Sequence, residues 1–308
     1  MATLRQLKYF VEIARSQSLT KAAQSLSVAQ PALSQNMASL EEELDAKLFE
    51  RHAKGVTLSN AGHRLYDHAV RLLEDFEGLK KHVADDTRGP EGRVRLCLAG
   101  SIASVVIAPL LDLVERKFPR IELSLRDGMS ADVLRQLEGR FADVGVMSGA
   151  SELPGIEAIP VLEEEFVLLG KADRMCDFPP ELSPEEVLCL PLAAPDRTFD
   201  LRKSLERVAS ASGQTLTLRY EINSLPMLVG VAHGELAFSL LPLSACIDAV
   251  RSGALAIRTI RGPGFTRVQS VVWPQHHPLS PAAAAVRDAL IVAMHGLVDA
   301  GVVRGRRL

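Results

Sequence analysis

The residues most able to do chemistry in this sequence of 308 residues form a short run of amides and hydroxyls. They are Gln30, Ser34, Gln35 and Asn36. Such side chains both donate and accept hydrogen bonds, so they can read base edges in the major groove of DNA. At these spacings they share one face of a helix, and Ala32, Leu33, Met37 and Leu40 fall on the opposite face. The stretch is therefore a candidate reading helix for double-stranded DNA.

A second helix is needed to hold the reading helix against the rest of a domain. Residues 19–26 predict that helix, with Ser18 or Thr20 as its N-cap. Ser27 and Val28 then fill a tight turn before the reading helix. This arrangement is typical of a helix-turn-helix, although the same pattern also fits two ordinary amphipathic helices of a bundle.

The start of the reading helix can be placed in two ways. With Ser27 as N-cap, Gln30 completes a capping box, but Pro31 then falls beyond the free backbone donors. With Ala29 as N-cap, Pro31 lies in the first turn, where its missing N–H costs little. Alanine is a weaker cap than serine by about 1 kcal/mol. We favour the second placement because it accommodates the proline.

A two-stranded hairpin, the wing, is predicted after the reading helix. Gly55 marks its turn and residues 56–58 form its return strand. Arg51, His52 and Lys54 cluster at the tip, where they can contact phosphates or the minor groove. The alternative is a solvated hairpin tip.

Residues 59–84 predict one long helix with an apolar seam. The seam residues recur at spacings of four, three, four, three and four, which is a heptad pattern. They are Leu65, Ala69, Leu72, Phe76, Leu79 and Val83. A helix of this length spans about 39 Å, and the same helix of a second chain is its simplest partner. The alternative is packing against the C-terminal domain of its own chain.

The polar segment 85–92 contains two glycines and a proline and predicts a hinge. Beyond it, strands and helices alternate as in a parallel α/β fold. Strands are predicted at 93–99, 121–125, 143–147, 165–170, 217–222, 237–241 and 268–273, and helices at 101–117, 130–139, 201–210, 224–231 and 281–300. We expect two lobes, with the chain crossing between them near 147–159 and again near 261–269.

Residues 7–62, preceded by Leu4, resemble the DNA-binding domain of the LysR-type transcriptional regulators. The matching positions are Leu7, Phe10, Ser18, Ala22, Ala23, Leu26, Gln30, Pro31, Leu33, Ser34, Leu40, Glu41, Leu44, Leu48, Phe49, Arg51, Gly55, Thr57 and Gly62. The segments AQPALSQ and LAGSIAS are most similar to the branch of the family that contains the nitrogen assimilation control protein. This density of matches is much more specific than a helix-turn-helix pattern alone.

The resemblance implies a multidomain α/β protein that regulates transcription. Its parts would be a winged helix-turn-helix at 1–62, a dimerisation helix at 59–84, a hinge at 85–92 and a two-lobed effector domain at 93–308, similar to periplasmic binding proteins. Such a protein binds dyad-symmetric promoter DNA and responds to a small-molecule effector, here expected to be anionic. It forms a homodimer or a dimer of dimers (a homotetramer), RNA polymerase is a further candidate partner, and no cofactor or metal is implied.

The pattern and the resemblance together assign site residues. The expected DNA contacts are Thr20, Lys21, Gln30, Pro31, Ser34, Gln35, Arg51 and Lys54. The resemblance places effector contacts at Ser101, Ile102 and Ser130 in the first lobe and at Arg197 and Phe199 in the second. The helix predicted to start at Ser101 would offer free N–H groups to an anion. Ser101 and Ser130 could instead be simple N-caps, and Arg197 a solvated loop charge.

Composition and missing motifs argue against other classes of protein. A hydrophobic content of 47% and a charged content of 24% are those of a soluble globular protein. We expect no signal peptide and no apolar stretch of about 18 residues, and therefore a cytoplasmic protein. The net charge of −3 gives no indication of nucleic acid. Nucleophile-elbow, nucleotide-loop and metalloprotease motifs are missing, so the alternative of an α/β enzyme with an accessory helical domain is disfavoured.

The four cysteines form no metal-binding pattern. They are Cys97, Cys176, Cys189 and Cys246, and no two are separated by two residues. We interpret them as buried structural thiols. A redox switch between Cys176 and Cys189 is the alternative.

Overall fold

The computed structural model of the protein describes residues 2–52, 55–83, 89–150, 153–262 and 265–308. The chain divides into two compact units, Met1–Gly89 and Pro90–Leu308. We refer to the first as the head and to the second as the body. Each unit has hydrophobic core clusters of its own.

The described residues of the head form helices and a two-stranded hairpin. Their bounds are α1 Leu4–Ser16, α2 Leu19–Ser25, α3 Gln30–Glu43, β1 Phe49–His52, β2 Gly55–Leu58 and α4 Asn60–Val83. Phe10 and Ile13 of α1 are fully buried in one cluster with Leu33 and Leu40 of α3. Burial of each such side chain contributes about 1.5–3 kcal/mol. The first helix therefore supports the reading helix from behind.

The turn between α2 and α3 follows the second of the two predicted placements. Ala29 is the N-cap of α3, with extended backbone and no capping side chain, and the proline lies in the first turn. Ser18 caps α2, because its Oγ accepts a hydrogen bond from the Lys21 N–H at 3.4 Å. Ser27 has a φ of 55°, in the left-handed region. The N–H of Val28 closes the turn by donating to the Ala23 carbonyl at 2.9 Å.

Replacing Ser27 by glycine should stabilise this turn by about 0.5–1 kcal/mol, because glycine adopts a left-handed backbone without strain. The measurement is hydrogen exchange of the α2 amides in the intact protein. Ser25→Gly, at an exposed position of α2 with helical backbone, is the control and should speed exchange. If both variants weaken protection equally, Ser27 carries no strain.

The wing forms where it was predicted, and a glycine fastens it to α1. Strands β1 and β2 pair antiparallel, with His52 opposite Gly55. Gly55 has a φ of 140°, and a Cβ there would lie 2.6 Å from the Gln17 carbonyl oxygen. The N–H of Val56 donates to that same oxygen at 3.1 Å. Lys54 lies outside the described residues, and so does the side chain of Arg51.

The apolar seam of α4 needs a correction at its first two positions. Ala69 is 1% exposed and belongs to the core of the head, and Leu65 is partly buried against that core. They were predicted to face a second chain, but the first turns of α4 cover their own domain. Leu72 and Phe76 are 47% and 39% exposed. The side chains of Leu79 and Val83 lie outside what the structure describes.

The body contains two lobes built on one continuous sheet. The elements of the first lobe are β3 Gly92–Ala99, α5 Gly100–Lys117, β4 Ile121–Gly128, α6 Ser130–Glu138 and β5 Val144–Ser148. Strand β3 pairs in parallel with both β4 and β5. This is the predicted βαβαβ order.

The chain then enters the second lobe and returns to the first. The following elements are β6 Ile156–Lys171, α7 Ala172–Met175, β7 Glu181–Leu182, α8 Pro184–Leu188, β8 Leu192–Ala194, α9 Asp200–Ala211, β9 Leu218–Glu221, α10 Leu225–His233, β10 Phe238–Pro242, a 3₁₀ turn at Leu243–Ala245, α11 Ile247–Arg251, β11 Leu255–Ile260, β12 Thr266–Pro274, α12 Pro281–Asp299 and β13 Gly305–Arg307. The short elements α7, β7, α8, β8, α11, β11 and β13 and the 3₁₀ turn were not predicted.

The first crossing between the lobes lies later than predicted. Strand β6 pairs with β12 from Ile156 to Glu165 and with β10 from Phe166 to Leu169. One unbroken strand therefore belongs to both lobes and crosses at about residue 165, not within 147–159. The return between β11 and β12 lies within the predicted range.

Helix α12 is a core helix of the first lobe. At 19 residues it is long and apolar enough to cross a membrane by length and composition, although no such apolar stretch was predicted. Its buried residues include Val286, Leu290 and Met294, which pack in the main cluster of the first lobe. This burial explains its apolar composition.

Candidate DNA-reading surface and effector cavity

The exposed start of α3 carries the predicted reading residues. Gln30, Pro31 and Gln35 are exposed and Ser34 is half-buried, while the opposite face of the helix packs in the head. Ala32, predicted on the packed face, is exposed. The polar side chains are thus available to a partner outside the head.

A hydrogen bond from α2 positions the first reading residue. The Thr20 hydroxyl donates to Gln30 Oε1 at 3.1 Å. This contact directs the amide nitrogen of Gln30 away from α2, where it can donate to a base edge. Lys21, next to Thr20, is also exposed. The structure therefore brings Thr20, Lys21 and Gln30 to one end of the helix pair.

Asn36 behaves differently from its predicted neighbours. Its Nδ2 donates to the Ala32 carbonyl of the preceding turn at 2.8 Å. A side chain that bonds back to its own helix has one donor fewer for bases. Ser34 and Gln35 make no such contact among the described hydrogen bonds of the head.

Glu41 joins the wing to the reading helix, a role that was not predicted from the sequence. Its Oε1 accepts from the Leu48 N–H at 2.8 Å, and its Oε2 pairs with Lys47 Nζ at 2.8 Å. Burial alone would raise the pKa of Glu41, but the hydrogen bonds from Lys47, Leu48 and Phe49 lower it on balance. The carboxylate therefore stays ionised and holds the start of the wing at neutral pH. The available signal was the match of Glu41 to the family pattern.

A cavity of about 640 Å³ lies in the body, between elements of the two lobes. Its polar lining consists of Lys203, Ser204, Arg207, Thr266, Arg267 and Ser270, and its apolar lining of Gly149, Ala150, Pro160, Val268 and Leu308. Three of these side chains are cationic, and among the described residues of the lining none is acidic. Such a lining favours an anionic ligand.

The five predicted effector contacts do not line this cavity. Ile102 is fully buried in the core of the first lobe, so its side chain does not face the cavity. Ser101 is 3% exposed, and its Oγ accepts from Arg267 Nη2 at 2.6 Å. Ser130 is half-buried, with its Oγ 3.3 Å from the Ser148 N–H.

The second-lobe predictions lie at the start of α9. Arg197 is highly exposed, and its Nε donates to Glu206 Oε1 at 2.8 Å. Phe199 is the half-buried N-cap residue of α9. The cavity uses Lys203 and Arg207 instead, one and two turns further along this helix. Their spacing of four on a predicted helix was the signal that could have identified them.

A buried ion pair crosses the junction between the lobes. Glu164 of β6 is fully buried, and its Oε2 accepts from Arg267 Nε and Nη2 of β12 at 2.9 and 2.6 Å. Ser244 of the second lobe donates to the other carboxylate oxygen. Since Arg267 also reaches Ser101 of the first lobe, this network joins both lobes at the crossing. Glu164 stands between Glu163 and Glu165 in the sequence, so no pattern distinguished it as the buried one.

The cysteines divide into two classes. Cys97 and Cys246 are buried, and burial raises their pKa values to about 11 and about 12. Such thiols stay protonated and unreactive at neutral pH. Cys176 and Cys189 are exposed, so the prediction of burial is wrong for these two. Among the residues that the structure describes, no group of His, Cys, Asp and Glu could hold a metal ion.

Comparison with known proteins gives matches over both units. The profile described as "Bacterial regulatory helix-turn-helix protein, lysR family" matches residues 4–63, and "LysR substrate binding domain" matches residues 87–294. The nitrogen assimilation regulatory protein nac of Klebsiella aerogenes is 31% identical over 296 residues, which covers 94% of each chain. The nac protein of Escherichia coli K12 is 31% identical over 288 residues, or 93% of each.

Solved structures share the fold. CbnR complexed with its target DNA has a TM-score of 0.69 at 21% identity, covering 95% of this chain and 100% of that chain. A full-length point variant of OxyR from Pseudomonas aeruginosa has a TM-score of 0.68 at 21% identity, covering 100% and 98%. With both units matched and relatives above 30% identity along nearly the whole length, the chain belongs to the LysR family of bacterial transcriptional regulators.

Proposed function

We propose that this protein binds dyad-symmetric promoter DNA in the cytoplasm as a homodimer or a dimer of dimers, and that an anionic small molecule in the body changes that binding. As a LysR-type protein it is a DNA-binding transcriptional regulator that responds to an effector, and it is not an enzyme. The symmetry of the DNA site and the charge of the effector are the parts that we add. A contact with RNA polymerase remains a prediction.

The polar start of α3 supports direct reading of bases. Gln30 is exposed and is oriented by Thr20, while Leu33 and Leu40 anchor the rear of the helix at 0% exposure. A glutamine held this way can make two hydrogen bonds to the major-groove edge of adenine. The oriented amide on a rigidly packed helix is the observation that carries the proposal.

The exposed part of α4 supports a two-fold arrangement. Leu72 is 47% exposed on α4, the last helix of the head. If two copies pair along this helix, their reading helices can address two half-sites about one DNA turn apart. Binding of the second head then becomes intramolecular, which raises the affinity.

The cationic lining of the cavity supports an anionic effector. Lys203, Arg207 and Arg267 face the same space of about 640 Å³, within the range of small-molecule sites. The contacts predicted at Ser130 and Phe199 stay predictions. Ser101 would act on the effector through Arg267, because the Arg267 guanidinium donates a hydrogen bond to the Ser101 hydroxyl.

Gln30→Ala is expected to relax discrimination at one base position per half-site by about 1–3 kcal/mol, because the lost contacts are to a base edge. The measurement is fluorescence anisotropy on a set of single-base variants of a promoter site beside its own gene. Thr20→Val should weaken discrimination at the same position, because it frees the Gln30 amide to rotate.

Arg51→Ala is the contrasting variant. If Arg51 contacts phosphate, its loss should weaken binding to all DNA sequences alike and reduce the salt dependence of binding. If Gln30→Ala lowers the affinity for specific and for random DNA equally, Gln30 does not read a base.

A further inference from the structure

A short segment that follows α12 lies along strand β6, and we call this segment, residues 304–308, the strap. It runs antiparallel to β6, with Gly305 opposite Glu164. At its far end the Leu308 N–H donates to the Val161 carbonyl at 3.0 Å. Since β12 pairs with the same stretch of β6, the strap covers the other edge of that strand.

The strap holds the residue at which β6 crosses between the lobes. Glu165 is the last residue of β6 that pairs with β12, and Phe166 is the first that pairs with β10. The Arg304 carbonyl accepts from the Glu165 N–H at 2.9 Å, and Arg304 Nε donates to Glu165 Oε2 at 2.6 Å. A large change in the backbone angles at Glu165 must break these contacts, and hinge residues absorb such changes when lobes move.

Glu163 connects the strap to β12 on the opposite edge of β6. One of its carboxylate oxygens accepts from Arg306 Nε of the strap at 2.6 Å, and the other from Thr266 Oγ1 of β12 at 3.0 Å. These two hydrogen bonds lower the pKa of Glu163, so its carboxylate stays ionised at neutral pH. Strand β6 is therefore held from both edges next to the crossing.

The strap is anchored in the first lobe. Val303, the residue before the strap, is 1% exposed and belongs to the core cluster of that lobe. Its N–H donates to the Leu297 carbonyl of α12 at 3.1 Å. Because this end is fixed in the core while Arg304 holds the crossing residue, the strap ties the hinge to the first lobe.

Gly305 makes the close approach to β6 possible. It has a φ of 150°, and a Cβ at this position would lie 1.9 Å from the Glu163 carbonyl oxygen. A side chain here would therefore push the strap away from β6. The strap also lies beyond position 294, where the match to the family's substrate-binding profile ends.

We propose that the strap restrains the movement of the two lobes. It fixes the backbone of β6 at Glu165, and the lobes change their relative angle only when the strap leaves β6. Any signal that moves the lobes must then work against the contacts of Arg304 and Gly305 with β6. This inference goes beyond the proposed function and depends neither on the symmetry of the DNA site nor on the charge of the effector.

The first experiment measures hydrogen exchange of the full-length protein. Gly305→Ala should speed exchange at the Glu165 amide by about ten-fold, because that amide loses its Arg304 acceptor. Exchange in the buried face of α12 should stay slow. Gly213→Ala is the matched control, since Gly213 also has a positive φ, of 66°, but a Cβ there would meet no atom within 4 Å. It should leave exchange in β6 unchanged.

The second experiment measures the distance between the lobes with two spin labels. Cys176 is exposed in the second lobe, and Glu138 is exposed at the end of α6 in the first. Glu138→Cys combined with Cys189→Ser therefore gives one label on each lobe. Cys97 and Cys246 are buried and should not react. Pulsed electron resonance, after dilution with unlabelled chain, then reports the distance within one chain.

Gly305→Ala should broaden or shift the distribution of distances between the labels, whereas Gly213→Ala should leave it unchanged. Deletion of residues 304–308 removes the strap without introducing a clash, should have the same effect, and decides the inference if Gly305→Ala does not fold. Faster exchange in β6 with unchanged label distances would show that the strap only covers an edge of β6, and would overturn the inference. Unchanged exchange would show that the strap does not hold Glu165, and would overturn it as well.

Discussion

Arg267→Met is expected to destabilise the body by about 3–5 kcal/mol, because it leaves the buried carboxylate of Glu164 without its cation. Glu164 is fully buried, and Ser244 is a neutral partner that cannot replace the guanidinium. Unfolding in urea, followed by the fluorescence of Trp273, measures the loss. Trp273 is the one tryptophan of the sequence and lies on β12 of the body.

Two further variants show whether burial is the cause. Arg116→Met breaks the exposed Arg116–Asp112 pair and should cost less than about 1 kcal/mol, as surface ion pairs do. Adding Glu164→Gln to Arg267→Met should recover most of the loss, since no unpaired charge then remains inside the protein. A loss for Arg267→Met no larger than that for Arg116→Met would show that the network does not hold the lobes together.

This network also explains why the surroundings of Ser101 could not be predicted from the sequence. The free N–H groups at the start of α5 suggested an anion beside Ser101. In the structure the Ser101 hydroxyl is bonded to Arg267, which lies 166 positions away in the sequence. Local capping rules contain no information about such a partner, so the pattern at Ser101 indicated a helix start but not the side chain that its hydroxyl contacts.

The turn before α3 shows the opposite situation. Pro31 restricts where a helix can start, and this restriction depends only on neighbouring residues. The placement with Ala29 as N-cap could therefore be derived from the sequence, and the structure agrees. The buried face of α3 could be predicted from neighbouring residues in the same way. Ala32 is the exception, because its small side chain is accommodated on either face.

The packing partners of longer apolar patterns were predicted only in part, because two different partners can satisfy the same periodicity. In α4 the heptad spacing continues from Leu65 through Phe76, but Ala69 packs on the head whereas Leu72 is exposed. Strand β6 is a similar case, since one unbroken strand serves both lobes and no turn residue marks the crossing at Glu165. The sequence shows that a face is apolar but does not show what covers it.

Leu72→Glu is expected to lower the affinity for a complete two-half-site promoter by roughly 100-fold or more, because it removes the avidity of paired heads. A carboxylate on the apolar seam would have to be desolvated between two copies of α4, which opposes pairing. The head itself should stay folded, since Leu72 is 47% exposed and its replacement opens no cavity.

The measurement combines sedimentation with anisotropy on two DNA duplexes, one carrying both half-sites and one carrying a single half-site. His63→Glu, at an exposed position near the start of the same helix, adds the same carboxylate away from the seam and should leave the oligomeric state unchanged. With Leu72→Glu, the affinity for the single half-site should match that of His63→Glu. If Leu72→Glu remains oligomeric and still prefers the complete site by the original margin, pairing does not run along this helix. Equal losses on both duplexes would instead place the defect in the reading surface of a single head.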